Sequence, residues 1–290
     1  MALEKKILAL GGSGRVGQML RAGFEIAGEH RVIWQSRTPL PGGICLDPLA
    51  DDGVDALANA MKGRDVVFAL AGVTPATGGS MSINSVLANK TLAAAEQVGI
   101  RHVFFVSSAA VYGVSDVAHR EEEALTPVSD YGVSKQRMEE DILRAQSPIR
   151  SVILRIGNIV GADQLIGGAT KGTTIGLDQF AGGGFPERSY MGPITLTSIL
   201  TQLFDRALAG DALPQILNVS APGTVSMDAL VQAGGFSFQP RPAPEQAIPR
   251  VVLDTKRIEG LVTMPENAAH PDQMIAEWKR LQAAVEGNVT

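Results

Sequence analysis

The chain is poor in several residue types, and each shortage excludes something. It has one cysteine, Cys45, in 290 residues. A lone thiol makes no internal disulfide and no cysteine-based zinc site, so a reducing cytoplasm is expected. The four histidines, His30, His102, His119 and His270, are scattered without ligand spacing, so no metal is expected. Lys and Arg total 25 against 30 Asp and Glu, a net charge of −5. That leaves no global positive field for nucleic acid or an anionic membrane, and neither partner is expected. No apolar run approaches the ~20 residues of a membrane span. The run from Ile7 to Leu10 is too short for the about 7–15-residue core of a signal peptide. Aromatics are only 5%, with three tyrosines: Tyr112, Tyr131 and Tyr190. Internal repeats and low-complexity tracts are also missing.

What remains is an ordinary globular composition, 45% hydrophobic and 19% charged, in one large domain or two unequal ones. Short apolar runs alternate with longer helix-like segments. Strands are predicted at 6–10, 31–35, 43–46, 65–70, 102–107, 151–156 and 215–219. Helices are predicted at 15–27, 55–61, 84–98, 131–145, 195–209 and 271–286. Continuous apolar strands separated by helices imply a parallel sheet covered on both faces, a doubly wound α/β Rossmann fold. Residues 1–165 form its dinucleotide-binding part, and 193–221 return to it. Residues 166–192 and 222–290, rich in glycine, threonine and proline, are assigned to a small C-terminal substrate-binding lobe.

Gly11-Gly12-Ser13-Gly14-Arg15-Val16-Gly17 follows the first strand and opens the first helix. Gly11, Gly14 and Gly17 suit a tight turn, close approach to a pyrophosphate and helix–strand packing. Free N–H groups at the helix start then hold phosphate, which makes Ser13, Arg15 and Val16 part of the same cradle. The second strand ends in Ser36-Arg37 rather than in a carboxylate that would bind both ribose hydroxyls. NADP is therefore favoured, with Arg15 assisting, and NAD is the alternative. Asp47, past the third strand, is positioned to accept from the adenine amino group.

Tyr131-Gly132-Val133-Ser134-Lys135 sets a phenol and an ammonium on one helix face. The ammonium is expected to lower the phenol's pKa from ~10 and make it a usable acid/base for a secondary alcohol or ketone. Ser108 lies at a strand's C-terminal end, where α/β ligand sites form, and its hydroxyl can hold the substrate oxygen.

GGSGRVG, Ala71-Gly72, SSAAVYG, TPVSDYGVSK and RIGNIVG together resemble the extended short-chain dehydrogenase/reductases, the NAD-dependent epimerase/dehydratase family. The likeness covers nearly the whole chain, and the 253–257 segment, LDTKR, resembles the family's late D-x-x-K/R stretch. It implies Tyr131 as acid/base, Lys135 on the nicotinamide ribose, Ser108 orienting the substrate, and Asn158 lining the substrate pocket. Ala71 and Gly72 join the cofactor site. Glu187-Arg188-Ser189-Tyr190 and Gln239-Pro240-Arg241-Pro242 resemble segments whose arginines grip a nucleotide-sugar diphosphate. The family's helical asparagine aligns with Leu87, with Asn84 and Asn89 out of register. Ala109 and Ala110 stand where 4,6-dehydratases carry an Asp-Glu pair, which argues against that reaction. Glu121, Glu122 and Glu123 read as a solvated loop. A homodimer through helices 84–98 and 131–145 is implied.

Three readings follow. One is an NAD(P)-linked oxidoreductase acting on a secondary alcohol or ketone of a sugar or nucleotide-sugar-like small molecule. Another is a nucleotide-sugar epimerase that retains its cofactor. The third is a non-catalytic NADP-binding regulator.

Overall fold

The computed structural model describes residues 6–169, 172 and 174–287, the last two without their side chains. In chain order the first half runs β1 (Ile7–Leu10), α1 (Arg15–Ile26), β2 (Val32–Ser36), β3 (Ile44–Cys45), α2 (Gly53–Met61), β4 (Val66–Ala69), α3 (Ile83–Val98), β5 (His102–Ser108), α4 (Asp130–Arg144) and β6 (Arg150–Ile156). Short strands β7 (Asn158–Ile159), β8 (Thr174–Gln179), β9 (Glu187–Arg188) and β10 (Tyr190–Met191) precede α5 (Pro193–Ala209) and β11 (Ile216–Val219). The chain ends through β12 (Val225–Ser226), α6 (Met227–Gly234), β13 (Ser237–Pro242), β14 (Arg250–Val251), α7 (Lys256–Glu259) and α8 (Pro271–Gly287).

Seven strands form one sheet in the order β11-β6-β5-β4-β1-β2-β3, and every pairing is parallel. The strands are runs of Ile, Leu, Val and Phe, because a strand buried on both faces has no polar side to alternate with. One face packs against α1, α5 and α8, the other against α2, α3 and α4. Phe204 of α5 anchors the first layer, with Phe24, Phe68 and Phe104 at ring-centroid distances of 6.2, 5.6 and 5.3 Å. Strand order reverses between β1 and β4, so a crevice opens at their carboxyl ends. The glycine loop leaves β1 there, and Ala71-Gly72 follows β4.

The smaller sheets lie toward the other end of the crevice. β7 pairs with β10, β9 sits between β12 and β14, and β8 runs parallel to β13. α5 begins at Pro193, where a missing N–H is harmless. Its first turn is capped from a distance. Glu277 of α8 accepts from Ile194 N at 3.0 Å, Thr195 N at 2.8 Å and Thr195 Oγ1 at 2.6 Å. A carboxylate there meets both the orphan N–H groups and the positive end of the helix dipole. Among the described residues no helix is long and apolar enough to cross a membrane.

Candidate active site

The glycine loop is shaped by contacts that only glycine allows. Gly11 has φ +97°, and a Cβ there would come within 2.8 Å of the Ala71 backbone. At Gly17 a Cβ would meet Gly11 O at 2.2 Å. Gln35, buried at the end of β2, accepts from Gly11 N at 3.3 Å and donates to Leu46 O at 2.7 Å, tying the loop to the neighbouring turn. α1 starts at Gly14 with no side-chain cap. Ser13, Gly14 and Arg15 are exposed, and nothing but Gly11 O, at 3.6 Å, approaches a Cβ at Gly14. An uncapped helix start beneath an open surface fits a dinucleotide's pyrophosphate. Val16 is the next residue of that first turn.

The three groups expected at a 2′-phosphate fare differently. Ser36 is buried, and its hydroxyl bonds to Thr38 O while accepting from Thr38 N at 3.1 Å. Arg15 donates to Ala162 O at 3.1 Å and Asp163 O at 3.4 Å, on the far side of the crevice. In this structure the polar atoms of both are held by the protein's own backbone. Arg37 is exposed. Asp47 is exposed too, with Oδ1 accepting from Leu49 N at 2.9 Å.

Ala71-Gly72 connects the cofactor cradle to the expected proton-transfer site. Ala71 abuts Gly11, while a Cβ on Gly72 would lie 3.5 Å from Lys135 Nζ and 2.8 Å from Asn84 Oδ1. Lys135 and Tyr131 sit one turn apart near the start of α4. Ser129 caps that start, accepting from Gly132 N at 3.1 Å, and Asp130 adds a favourable charge. Ser108 ends β5 and accepts from Ala110 N at 3.2 Å. The same side chain lies near enough to Tyr131 to favour its charged form. Ser108, Tyr131 and Lys135 therefore come together at the C-terminal edge of the sheet.

Their electrostatics differ from expectation in one respect. Burial raises the Tyr131 pKa, and nearby Ser108 offsets this only in part. Lys135 instead directs its ammonium to Val106 O at 2.8 Å. Burial brings its pKa down to about 8, against the attraction of Glu139. The anticipated lowering of the phenol by the ammonium is thus corrected: desolvation dominates both groups.

The substrate-side residues are more dispersed. Asn158, on β7, pairs in register with the buried Tyr190 of β10. Arg188 donates to Glu187 O at 2.7 Å, Pro249 O at 3.2 Å and Ile248 O at 2.8 Å. Burial pushes its pKa down. Arg241 pairs with Asp178 at 2.7 Å across the β8–β13 ladder. It lines a cavity of about 640 Å³ with Phe180, Pro240, Pro242, Pro244 and Pro249. Arg188 grips the carbonyl of Pro249 in that wall. Both arginines thus already hold protein acceptors.

Two residues were passed over in the sequence. Asn84, set aside as out of register, is buried; its amide accepts from Val73 N at 2.9 Å and donates to Val73 O at 3.1 Å and Ser134 Oγ at 3.0 Å. The aspect that sequence alone offered was its polarity on an otherwise Ala- and Leu-rich helix. Glu121 is not part of a solvated loop. It is buried, accepts from Asn218 N at 3.0 Å and lies 3.7 Å from Arg257. Among the described residues no cluster of His, Cys, Asp or Glu is arranged to hold a metal.

A model of the NAD dependent epimerase/dehydratase family matches residues 7–217. The chain belongs to that family. A UDP-glucose 4-epimerase from Azospirillum brasilense is 46% identical over 76 residues, 25% of this chain and 22% of that enzyme, so this match spans under a quarter of the relative's length. A dTDP-6-deoxy-L-talose 4-dehydrogenase (NAD(P)(+)) from Kitasatospora kifunensis is 24% identical over 302 aligned residues, covering 97% of this chain and 88% of that one. The solved NAD dependent-NDP-hexosamine 5,6-dehydratase TunA superposes with a TM-score of 0.75 at 17% identity, covering 97% of this chain and 98% of that chain. Membership identifies the chain with NAD-dependent epimerase/dehydratase-type proteins.

Proposed function

We propose that the chain transfers hydride between NAD(P) and a secondary alcohol or ketone of a sugar or nucleotide-sugar-like substrate, with Tyr131 as acid/base. The observation that carries this reading is the meeting of Tyr131, Ser108 and Lys135 beside Gly72, next to the Gly11–Ala71 contact. The cofactor, when bound, takes up or returns the hydride. Ser108 Oγ holds the substrate oxygen, and the Tyr131 phenol accepts the hydroxyl proton in oxidation or returns it in reduction. In this reading Lys135 serves the cofactor ribose and the charge that develops on Tyr131. Gly11, Ser13, Gly14, Arg15, Val16 and Gly17 form the pyrophosphate end, with Ala71 and Gly72 between. No carboxyl group follows Ser108, where Ala109 and Ala110 stand, so elimination by a 4,6-dehydratase route lacks its proton-moving groups there.

The preference for NADP rests on Arg37, because β2 ends without a carboxylate to claim the ribose hydroxyls. The whole-length likeness to a 4-dehydrogenase favours a freely exchanging cofactor. A cofactor-retaining epimerase is the second reading, favoured by the local 46% identity to a 4-epimerase and by Arg188 and Arg241 in the substrate lobe. In that reading Arg241 exchanges Asp178 for a diphosphate at the mouth of its cavity, with Asn158 nearer the sugar. A regulator that only binds NADP has no use for the Tyr131–Ser108–Lys135 arrangement. The discriminating experiment purifies the protein and measures bound nicotinamide by its absorbance after denaturation. Stoichiometric retention supports the epimerase, and exchange on a desalting column supports the dehydrogenase.

A further inference from the structure

Tyr131, Lys135 and Glu139 recur every fourth residue on α4 and share one face. Glu139 is 1% exposed, and a carboxylate that deep persists only when paired and hydrogen-bonded. Arg155 of β6 supplies two edges of its guanidinium: Nε lies 3.2 and 3.0 Å from the two carboxylate oxygens, and Nη2 lies 2.7 Å from Oε2. Ser107 Oγ donates to Oε1. The remaining Arg155 nitrogen donates to Tyr112 OH at 2.8 Å and Glu121 O at 3.0 Å, so the guanidinium has no slack. Ser107 is also the neighbour of Ser108. The end of β5 is thus tied to α4 through Ser107 to Glu139, one turn beyond Lys135, while Ser108 lies near Tyr131, one turn before it.

We infer that Glu139 is a positioning residue for the proton-transfer site: its grip on Ser107 and Arg155 fixes α4 against β5 and β6 and sets a negative charge one turn from the Lys135 ammonium. The inference rests on the reading of Tyr131 and Lys135 given above. Around Lys135, α4 presents Glu139 and Tyr131, β5 presents the Val106 carbonyl, and the 71–73 turn with α3 presents Gly72 and Asn84. Arg155, the charge on β6, is turned to Glu139. Glu139 is therefore the anion that opposes the burial of Lys135. Without it the amine loses its proton earlier and α4 loses its register on the strand end.

The test replaces the pair by neutral amides, Glu139→Gln with Arg155→Gln, which leaves neither partner as an orphan charge. ε-15N-lysine NMR follows Lys135 directly, with and without substrate turnover. The expected result is a melting temperature near the parent's, a Lys135 titration displaced downward by about one pH unit, and turnover reduced about a hundredfold by the misplaced acid/base. A folded double variant with parental turnover overturns the inference. Should the double variant fail to fold, Ser107→Ala decides. It removes one hydroxyl, and it is expected to lower kcat several-fold at unchanged KM; a parental kcat overturns the inference. An active Tyr131→Phe chain would instead overturn the site itself, a separate outcome.

Discussion

The two sides of the crevice are built on opposite principles. On the cofactor side, strands buried on both faces lead into a loop where Gly11 touches Ala71 and Gly17 touches Gly11, with no tolerance for a single added carbon. On the substrate side, β8 and β13 form a two-stranded ladder in which β13 is mostly exposed, and Gly182, Gly183 and Gly184 have open space around them. The first is rigid, and on the proposed function it takes one group, a dinucleotide pyrophosphate. The second has loose walls, and its two arginines hold internal acceptors that a ligand can displace. On the proposed function, shared chemistry sits in the tight half and substrate choice in the loose half.

Lys135→Met makes the largest break in this comparison. Turnover is expected to fall by ~10²–10⁴-fold, the usual contribution of acid–base catalysis. Stability moves the other way. Because the folded pKa lies near 8 rather than 10.5, the unfolded chain binds the extra proton between those values. The parent therefore gains stability as pH rises from about 8 to 10.5 and carries a penalty below 8. At pH 7 the Met variant should be more stable by about 1–3 kcal/mol. Urea denaturation at pH 7 and pH 10 measures both signs, and a destabilised variant at pH 7 would refute the account.

Paired glycine variants sharpen the contrast next. Gly17→Ala drives its Cβ against Gly11 O, so dinucleotide affinity should drop at least about tenfold, the loss of one charge-assisted contact or more. Gly182→Ala meets nothing within 4 Å and should leave that affinity unchanged. Calorimetric titration with NADPH separates them, and equal behaviour would erase the distinction between the two sides. Arg37→Ala is a comparable but more selective change. It should narrow an NADPH-over-NADH preference by about ten- to a hundredfold, the worth of one phosphate contact at roughly 1.5–3 kcal/mol. Equal affinity of the parent for both cofactors would sink the NADP reading.

The smallest expected effect lies at the opposite end of the sheet. His102 is buried, and burial first, then the charges of Arg150 and Arg101, lower its pKa. Its neutral form supports the fold above the unfolded pKa of ~6.5. That support is lost as pH falls through the lower folded pKa. His102→Phe should flatten this acid limb, read by thermal melts from pH 7 to pH 4.

The same contrast explains what could be read from the residues alone. The sheet, its helices and their order were legible because runs such as HVFFVS and ILAL are buried on both faces and bounded by glycine or charge. The Tyr131–Lys135 spacing and the glycine loop were legible for the same reason: local geometry determines them. The two-residue strands β7, β9, β10, β12 and β14 leave too few residues for a period. β13 carries Pro240 and Pro242, which read as a loop and are tolerated because the strand is an edge. The second role of α8 was hidden as well. Glu277 caps α5 across 82 residues, where Met191-Gly192-Pro193-Ile194 offers no acid of its own. The backbone partners of Arg15 and Ser36 were hidden too, because a sequence shows a donor but not the backbone carbonyl it meets.

The most direct measurement of the central claim is turnover by Tyr131→Phe across a panel of sugars, nucleotide sugars and small ketones with NADPH, NADH and their oxidised forms. Dinucleotide binding is measured in parallel. The account predicts parental affinity for the cofactor, because the Gly11–Gly17 loop is untouched, together with a fall in turnover of ~10²–10⁴-fold on whichever substrate the parent accepts. Near-parental turnover by the folded variant would contradict it and move the proton-transfer role away from Tyr131.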